Sequence, residues 1–219
     1  MFDRLFRDSL SIGLATGVYA VSFGVLSVAA GFSVAQTCVM SLVAFTGASQ
    51  FMFVSVMGGS AAAALPPAVL LAARNGIYAL SLGSVLRRAG WRRALDAHLV
   101  IDESTAMALA QDDPADRRRG FILTALAIFA CWNLGTLAGA LAGGVLGAPE
   151  TYGLHAIFPA VFLALLVPQV RSREVLAAAL AGAGIALLLV PAASAGVPVM
   201  ASVLAAAPLL VRRRAKVPA

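Results

Sequence analysis

The sequence predicts an all-α bundle of membrane-spanning helices, on three observations. The 219 residues are 61% hydrophobic and only 12% charged, with a mean hydropathy of +0.92; a soluble domain has about 45–50% apolar and about 25% charged residues. Several apolar runs reach or approach the ~20 residues that a spanning helix needs. No run alternates with the period of a strand, and backbone within a bilayer must satisfy its own hydrogen bonds, which favours helices. This balance argues strongly against a soluble enzyme and reads as one transmembrane domain over residues 1–219.

Seven segments follow in order. Leu10–Ala30 comes after a start of mixed charge, Met1–Asp8, and is too long for the apolar core of a cleavable signal peptide. Gln36–Met57 carries small and polar residues at its centre, Phe45-Thr46-Gly47-Ala48-Ser49-Gln50-Phe51. Ala61–Leu86 contains Pro66-Pro67 and, near its middle, Arg74-Asn75-Gly76-Ile77-Tyr78. Residues 87–120 form a polar connection whose apolar core, Ala97–Ala110, is too short to span. With arginines on both flanks it reads as re-entrant or interfacial, ahead of a full crossing. Phe121–Leu146, His155–Val170 (interrupted by Pro168), Val175–Val190 and Val197–Val211 complete the set.

The net charge of +6 sits at the ends of these runs, where it sets topology and meets lipid headgroups rather than forming a nucleic-acid surface. By the positive-inside rule the clusters Arg87–Arg93, Arg117–Arg119, Arg171–Arg173 and Arg212–Lys216 lie in the cytoplasm. Seven crossings then place the N-terminus outside and the C-terminus inside. The alternative is a cytoplasmic N-terminus with one early segment folded as a re-entrant hairpin. On the seven-span reading, residues 10–86 and 121–190 are three spans each, and an odd count makes the second unit inverted relative to the first, with one extra C-terminal helix. Such repeats with a site at the midplane and discontinuous helices are a recurring transporter plan. The counterparts are thin, Ser22-Phe23-Gly24 with Asn133-Leu134-Gly135 and Gln50 with Gln169.

One residue stands out against this pattern. Arg74 is the basic residue that lies inside an apolar run rather than at its end. A charge at bilayer depth costs at least ~2.5–3.5 kcal/mol, so such residues usually face a bundle interior or a cavity. Two readings stand for it: a structural charge paired with an acid, or a guanidinium that binds a substrate carboxylate through its bidentate fork. Ser49 and Gln50 read either as a small-residue packing face or as part of a helix break that lines a substrate site. Asn75, Tyr78 and Asn133 complete the candidate substrate group. Asp102 and Glu103 are acids in an apolar context, either solvated on the cytoplasmic face or serving as a gate or proton site. His98 lies one helical turn before Asp102 and could share a face with it. Cys38 and Cys131 show no CxxC or Cys/His spacing, so no metal site is expected, and no cofactor motif or catalytic pair points to an enzyme.

Taken in order, several pieces resemble the AzlC family of branched-chain amino acid permeases. They are Ser22–Gly24 with Ala30–Ser33, FTGASQF at Phe45–Phe51, R-N-x-x-Y-x-L-S-L at Arg74–Leu82, I-D-E at Ile101–Glu103, W-x-L-G-T at Trp132–Thr136, and the Gly153–Leu166 run with F-P-A-x-F-L-A-L-L. The resemblance implies export of valine, leucine and isoleucine across the inner membrane, proton coupling, and a small membrane partner of the AzlD type. One departure is local: the family pattern is closer to N-x-R-H-x-x-Y, whereas here Ala73 precedes Arg74 and Asn75 follows it. A channel or transporter for another small solute, and a structural subunit without its own pathway, are the rival readings.

Overall fold

The computed structural model describes residues 3–57, 60–83, 85–86, 89–146, 160, 163, 166–167, 170–193 and 197–208. Among these the chain is helical, with no strand. The helices are α1 (Arg4–Ala29), α2 (Val34–Val43), α3 (Ala48–Val56), α4 (Ala61–Ser81), α5 (Trp91–His98), α6 (Asp102–Leu109), α7 (Pro114–Leu146), α8 (Arg173–Leu189) and α9 (Val197–Ser202), the last followed by a 3-10 turn at Val203–Ala206. Three of them, α1, α4 and α7, are long and apolar enough to cross a membrane. Most of the expected fifth segment, Gln169, and the basic cluster Arg212–Lys216 lie outside the described residues.

The centre of the fold is the pair α1 and α7. Their contacts advance together along both chains. The Ser9 and Thr124 hydroxyls share a 2.8 Å hydrogen bond, Gly13 lies on Ala127, Gly17 on Cys131, and Gly143 on Val25. At one end Arg119 pairs with Asp3 at 2.5 Å. The two helices therefore run parallel. Glycines allow this approach, since a Cβ at Gly13 would lie 2.9 Å from Ala127, and small residues are what bring membrane helices close.

This pairing corrects the expected topology. The N-terminus lies at the same end as Arg117–Arg119, so it is cytoplasmic if that cluster is, not outside. The first helices of the units 10–86 and 121–190 also run parallel, so these units are not inverted there. Parity is restored by α2 and α3. They are 10 and 9 residues long, about 13–15 Å each at ~1.5 Å per residue, half of a ~30 Å hydrocarbon core. Thr37 near the start of α2 bonds Ser27 late in α1 at 2.8 Å, Phe45 at the break meets Phe129 with centroids 5.1 Å apart, and Phe53 returns to within 6.0 Å of Phe32. The second apolar segment is thus a hairpin that enters, turns beside the middle of α7, and leaves by the same end. It is not a span.

α4 runs the other way. Beyond its C-terminus, Leu82 and Val85 pack with Phe121 near the start of α7, and the Val85 carbonyl accepts a 2.6 Å hydrogen bond from Arg118. Arg118 also pairs with buried Asp96 at 3.2 Å, which anchors α5 at that end. α5 and α6 then form a second hairpin that enters from the end of α7 where Arg118 lies. His98 at the end of α5 lies 6.0 Å from both Phe45 and Phe129, while Ala108 on α6 is back among Leu82 and Phe121. A helix followed by a hairpin therefore occurs twice, at 4–56 and 61–109, in opposite directions. The inverted relation exists, at boundaries other than those expected.

Candidate functional site

The two hairpins meet tip to tip, and their turns are held in the same way. At the first tip, α2 stops at Val43 and α3 starts at Ala48, with Gly47 at φ 58°, a conformation that glycine tolerates and a side chain does not. Gln50, three residues past Gly47 and 1% exposed, accepts from the Gly47 N–H at 3.2 Å and donates to the Met40 carbonyl at 3.1 Å. Thr46 and Ser49 share a short hydroxyl contact. At the second tip, Ser104 is three residues past Ile101. Its hydroxyl accepts from the Ile101 N–H at 3.1 Å and donates to the Leu99 carbonyl at 2.8 Å. Each tip thus has a polar side chain at the third helical position that fastens the turn. Neither α3 nor α6 has a side-chain cap on its first turn, so both present the positive end of a helix dipole at the tips.

Between the tips lies a cavity of about 50 Å³. α1 contributes Thr16 and Tyr19, the first tip Phe45 to Ala48, α4 Arg74, the second tip Ile101 to Glu103, and α7 Ile128 and Trp132. Arg74 reaches Asp102 at 2.5 Å, and the Tyr78 hydroxyl donates to the other oxygen of Asp102 at 2.7 Å. The embedded arginine therefore meets an acid, as one of its two readings expected, and both oxygens of Asp102 are engaged. Glu103 lines the same cavity and meets its own backbone N–H, with no ion pair among the described residues. Three polar atoms near this centre, the Tyr19 hydroxyl, the Trp132 indole nitrogen and the Asn133 carbonyl oxygen, are buried with no hydrogen-bond partner among the described residues.

A second recess of about 400 Å³ opens between the first hairpin and α4, lined by Met40, Ala44, Thr46, Ser49, Gln50, Phe53, Leu65, Ala68, Val69 and Ala72. Its wall is mostly apolar. Thr46 borders both spaces, so the tip separates a charged cavity from an apolar groove.

The sequence-derived candidates divide accordingly. Arg74, Tyr78, Asp102 and Glu103 come together. Ser49 and Gln50 line the apolar groove instead, and both polar ends of the Gln50 amide are committed to backbone. Asn75 is half-buried on α4 and lines neither space. Asn133 donates to the Phe129 carbonyl at 2.7 Å and also stands outside both. His98 does not share a helical face with Asp102, because the turn at Leu99–Ile101 separates α5 from α6; it packs against aromatic rings. Tyr19, Thr46 and Trp132 were not singled out by sequence as site residues. A mid-run tyrosine and threonine were the available signals, and both read equally well as packing.

The family description "AzlC protein" matches residues 11–146. The chain belongs to the AzlC family. The matched stretch covers both hairpins and every residue of the cavity and the groove. Among AzlC-like relatives, an Archaeoglobus fulgidus protein named as an uncharacterized membrane protein is 31% identical over 185 residues, covering 84% of this chain and 82% of its own length. A Helicobacter pylori protein of the same description is 29% identical over 176 residues, 78% and 76% of the two chains. The Escherichia coli inner membrane protein YgaZ is 29% identical over 201 residues, 85% and 82%. No solved structure matches. This AzlC chain is thus a multi-pass membrane protein of a transport-associated family.

Proposed function

We propose that this chain is the pathway-forming subunit of a secondary transporter that exports branched-chain amino acids across the inner membrane, proton-coupled and working with a small AzlD-type membrane partner. The observation that carries the reading is the charged cavity at the meeting point of two half-helix hairpins, beside an apolar groove with which it shares Thr46. A water needs at least ~10–15 Å³ of this kind of volume, so the about 50 Å³ between the tips suits a small polar group such as an amino-acid head group rather than its side chain. The groove suits a branched aliphatic side chain. Arg74 and the open first turn of α3 supply the positive side for an α-carboxylate, with Tyr78 holding the Arg74–Asp102 pair in place. Ser49 and Gln50 shape the groove, while Asn75 and Asn133 support the helices around it. Asp102 and Glu103 are the proton or gating pair.

The test is efflux of labelled valine from cells loaded with a valine dipeptide, with the partner co-expressed and membrane abundance matched. Export accelerated by the wild-type chain, and lost in Arg74→Ala, supports the reading. No acceleration with valine, leucine or isoleucine refutes the substrate assignment. Counterflow separates a transporter from a channel, which shows none.

A further inference from the structure

We propose that Glu103, together with the aromatic walls of Tyr19, Phe45 and Trp132, receives the ammonium group of the transported molecule, and that Asp102 does not. The inference deepens the export reading and rests on it for the identity of the cargo. Its starting point is the division of labour between two adjacent acids. Asp102 is saturated, with Arg74 at 2.5 Å on one oxygen and Tyr78 at 2.7 Å on the other. Glu103 lines the same cavity; its carboxylate meets its own backbone N–H but no cation and no other residue's donor among the described residues. With Arg74 and Asp102 paired, Glu103 is the cavity's acid without a cation, and its ionised form would carry an uncompensated negative charge. An uncompensated carboxylate away from bulk water is unfavourable, and a cation entering the cavity removes that penalty.

The walls independently point to a cation. Tyr19, Phe45 and Trp132 all line the space, and aromatic faces attract ammonium groups, most strongly where water is excluded. Tyr19 and Trp132 stand edge to face with centroids 5.5 Å apart, and Tyr19 is stacked on Phe51, so the aromatic wall is held rigidly beside the cavity. The Tyr19 oxygen is buried without a partner. An ammonium has three donors that point in different directions, so a carboxylate on one side leaves room for a further acceptor, and this oxygen is available as one. At Asp102, by contrast, an incoming cation competes with Arg74 and Tyr78, which already engage both oxygens.

The experiment compares three probes on the purified full-length chain with its partner: valine, isobutylamine (which keeps the ammonium and lacks the carboxylate) and 3-methylbutanoate (the reverse). Binding is read by ligand-dependent thermal stabilisation. The wild type binds isobutylamine, and Glu103→Gln weakens valine and isobutylamine by at least roughly tenfold, the loss expected for a charge-assisted contact, with 3-methylbutanoate unaffected. If Glu103→Gln does not fold, Tyr19→Phe carries the test, with isobutylamine weakened several-fold and 3-methylbutanoate unchanged. Isobutylamine binding that survives either variant within about twofold overturns the proposal, as does a wild type that binds 3-methylbutanoate but no amine. A wild type that binds isobutylamine through Glu103 but not valine, leucine or isoleucine upholds the ammonium site and refutes the branched-chain cargo.

Discussion

Replacing Gln50 with methionine isolates what holds the first hairpin open at its turn. Methionine keeps nearly the same side-chain volume, so the buried site is not emptied, while both polar contacts disappear. Their loss is unequal. The Met40 carbonyl that Gln50 serves also accepts from the Ala44 N–H at 2.9 Å, so it keeps a partner and the variant forfeits only the net worth of one hydrogen bond, ~0.5–1.5 kcal/mol. Among the described residues the Gly47 N–H finds its acceptor in the Gln50 oxygen at 3.2 Å, and orphaning this half-buried donor costs up to ~1–3 kcal/mol. The expected loss is about 2–4 kcal/mol of unfolding free energy, read by denaturant titration of the full chain in mixed micelles. A loss below about 0.5 kcal/mol, the range of an ordinary surface substitution, would mean that the turn is held by something else and that Gln50 is free to face cargo.

Two further outcomes follow from the packing and the topology. Gly24→Ala pushes a methyl into the backbone of α7 at Thr136 and Ala140 and should destabilise by about 1–3 kcal/mol, whereas Gly144→Ala meets nothing within 4 Å and should be neutral or stabilising by up to ~1 kcal/mol; equal effects in the same denaturation assay would refute the close parallel pairing of α1 and α7. Single cysteines at Asp3 and Asp112, in a background lacking Cys38 and Cys131, should react with an impermeant maleimide from the cytoplasmic face, and one at Ser33 from the opposite face; labelling of positions 3 and 112 from different faces would restore the seven-span topology.

How far the sequence reveals this architecture depends on the element. α1, α4 and α7 announce themselves because a long apolar run has one economical use in a bilayer. The break in the second segment is legible too, since Thr46-Gly47 with Ser49 and Gln50 supplies both a positive-φ residue and side chains that satisfy loose backbone. What escapes is direction. Gln36–Met57 has enough apolar residues for one crossing or for two half-crossings, and counting hydropathy cannot tell these apart, so a single hairpin inverts the parity of every later segment. The pairing of Arg74 with Asp102 is half-legible: an embedded arginine demands a partner, but nothing in the spacing says whether that partner is Asp102 or Glu103, which differ by one position and have opposite fates. Tyr19 is the clearest miss, because its role comes from the three-way proximity of α1, α7 and the tips, which no local pattern encodes.

The half-length of the hairpin arms also governs how the chain is made. Helices of 8 to 10 residues are too short to partition into a bilayer as independent units, and their turns expose unsatisfied backbone that lipid cannot accommodate. α1, α4 and α7 can enter the membrane one at a time during synthesis. The hairpins can settle only when the chain through α7 has emerged, because Phe129, Trp132 and Arg118, which receive their tips and anchor, follow both hairpins in the sequence. Until then the central charges have no interior to face. The molecule must therefore assemble its long helices before its hairpins, and the cavity between the tips forms only once α7 is in place.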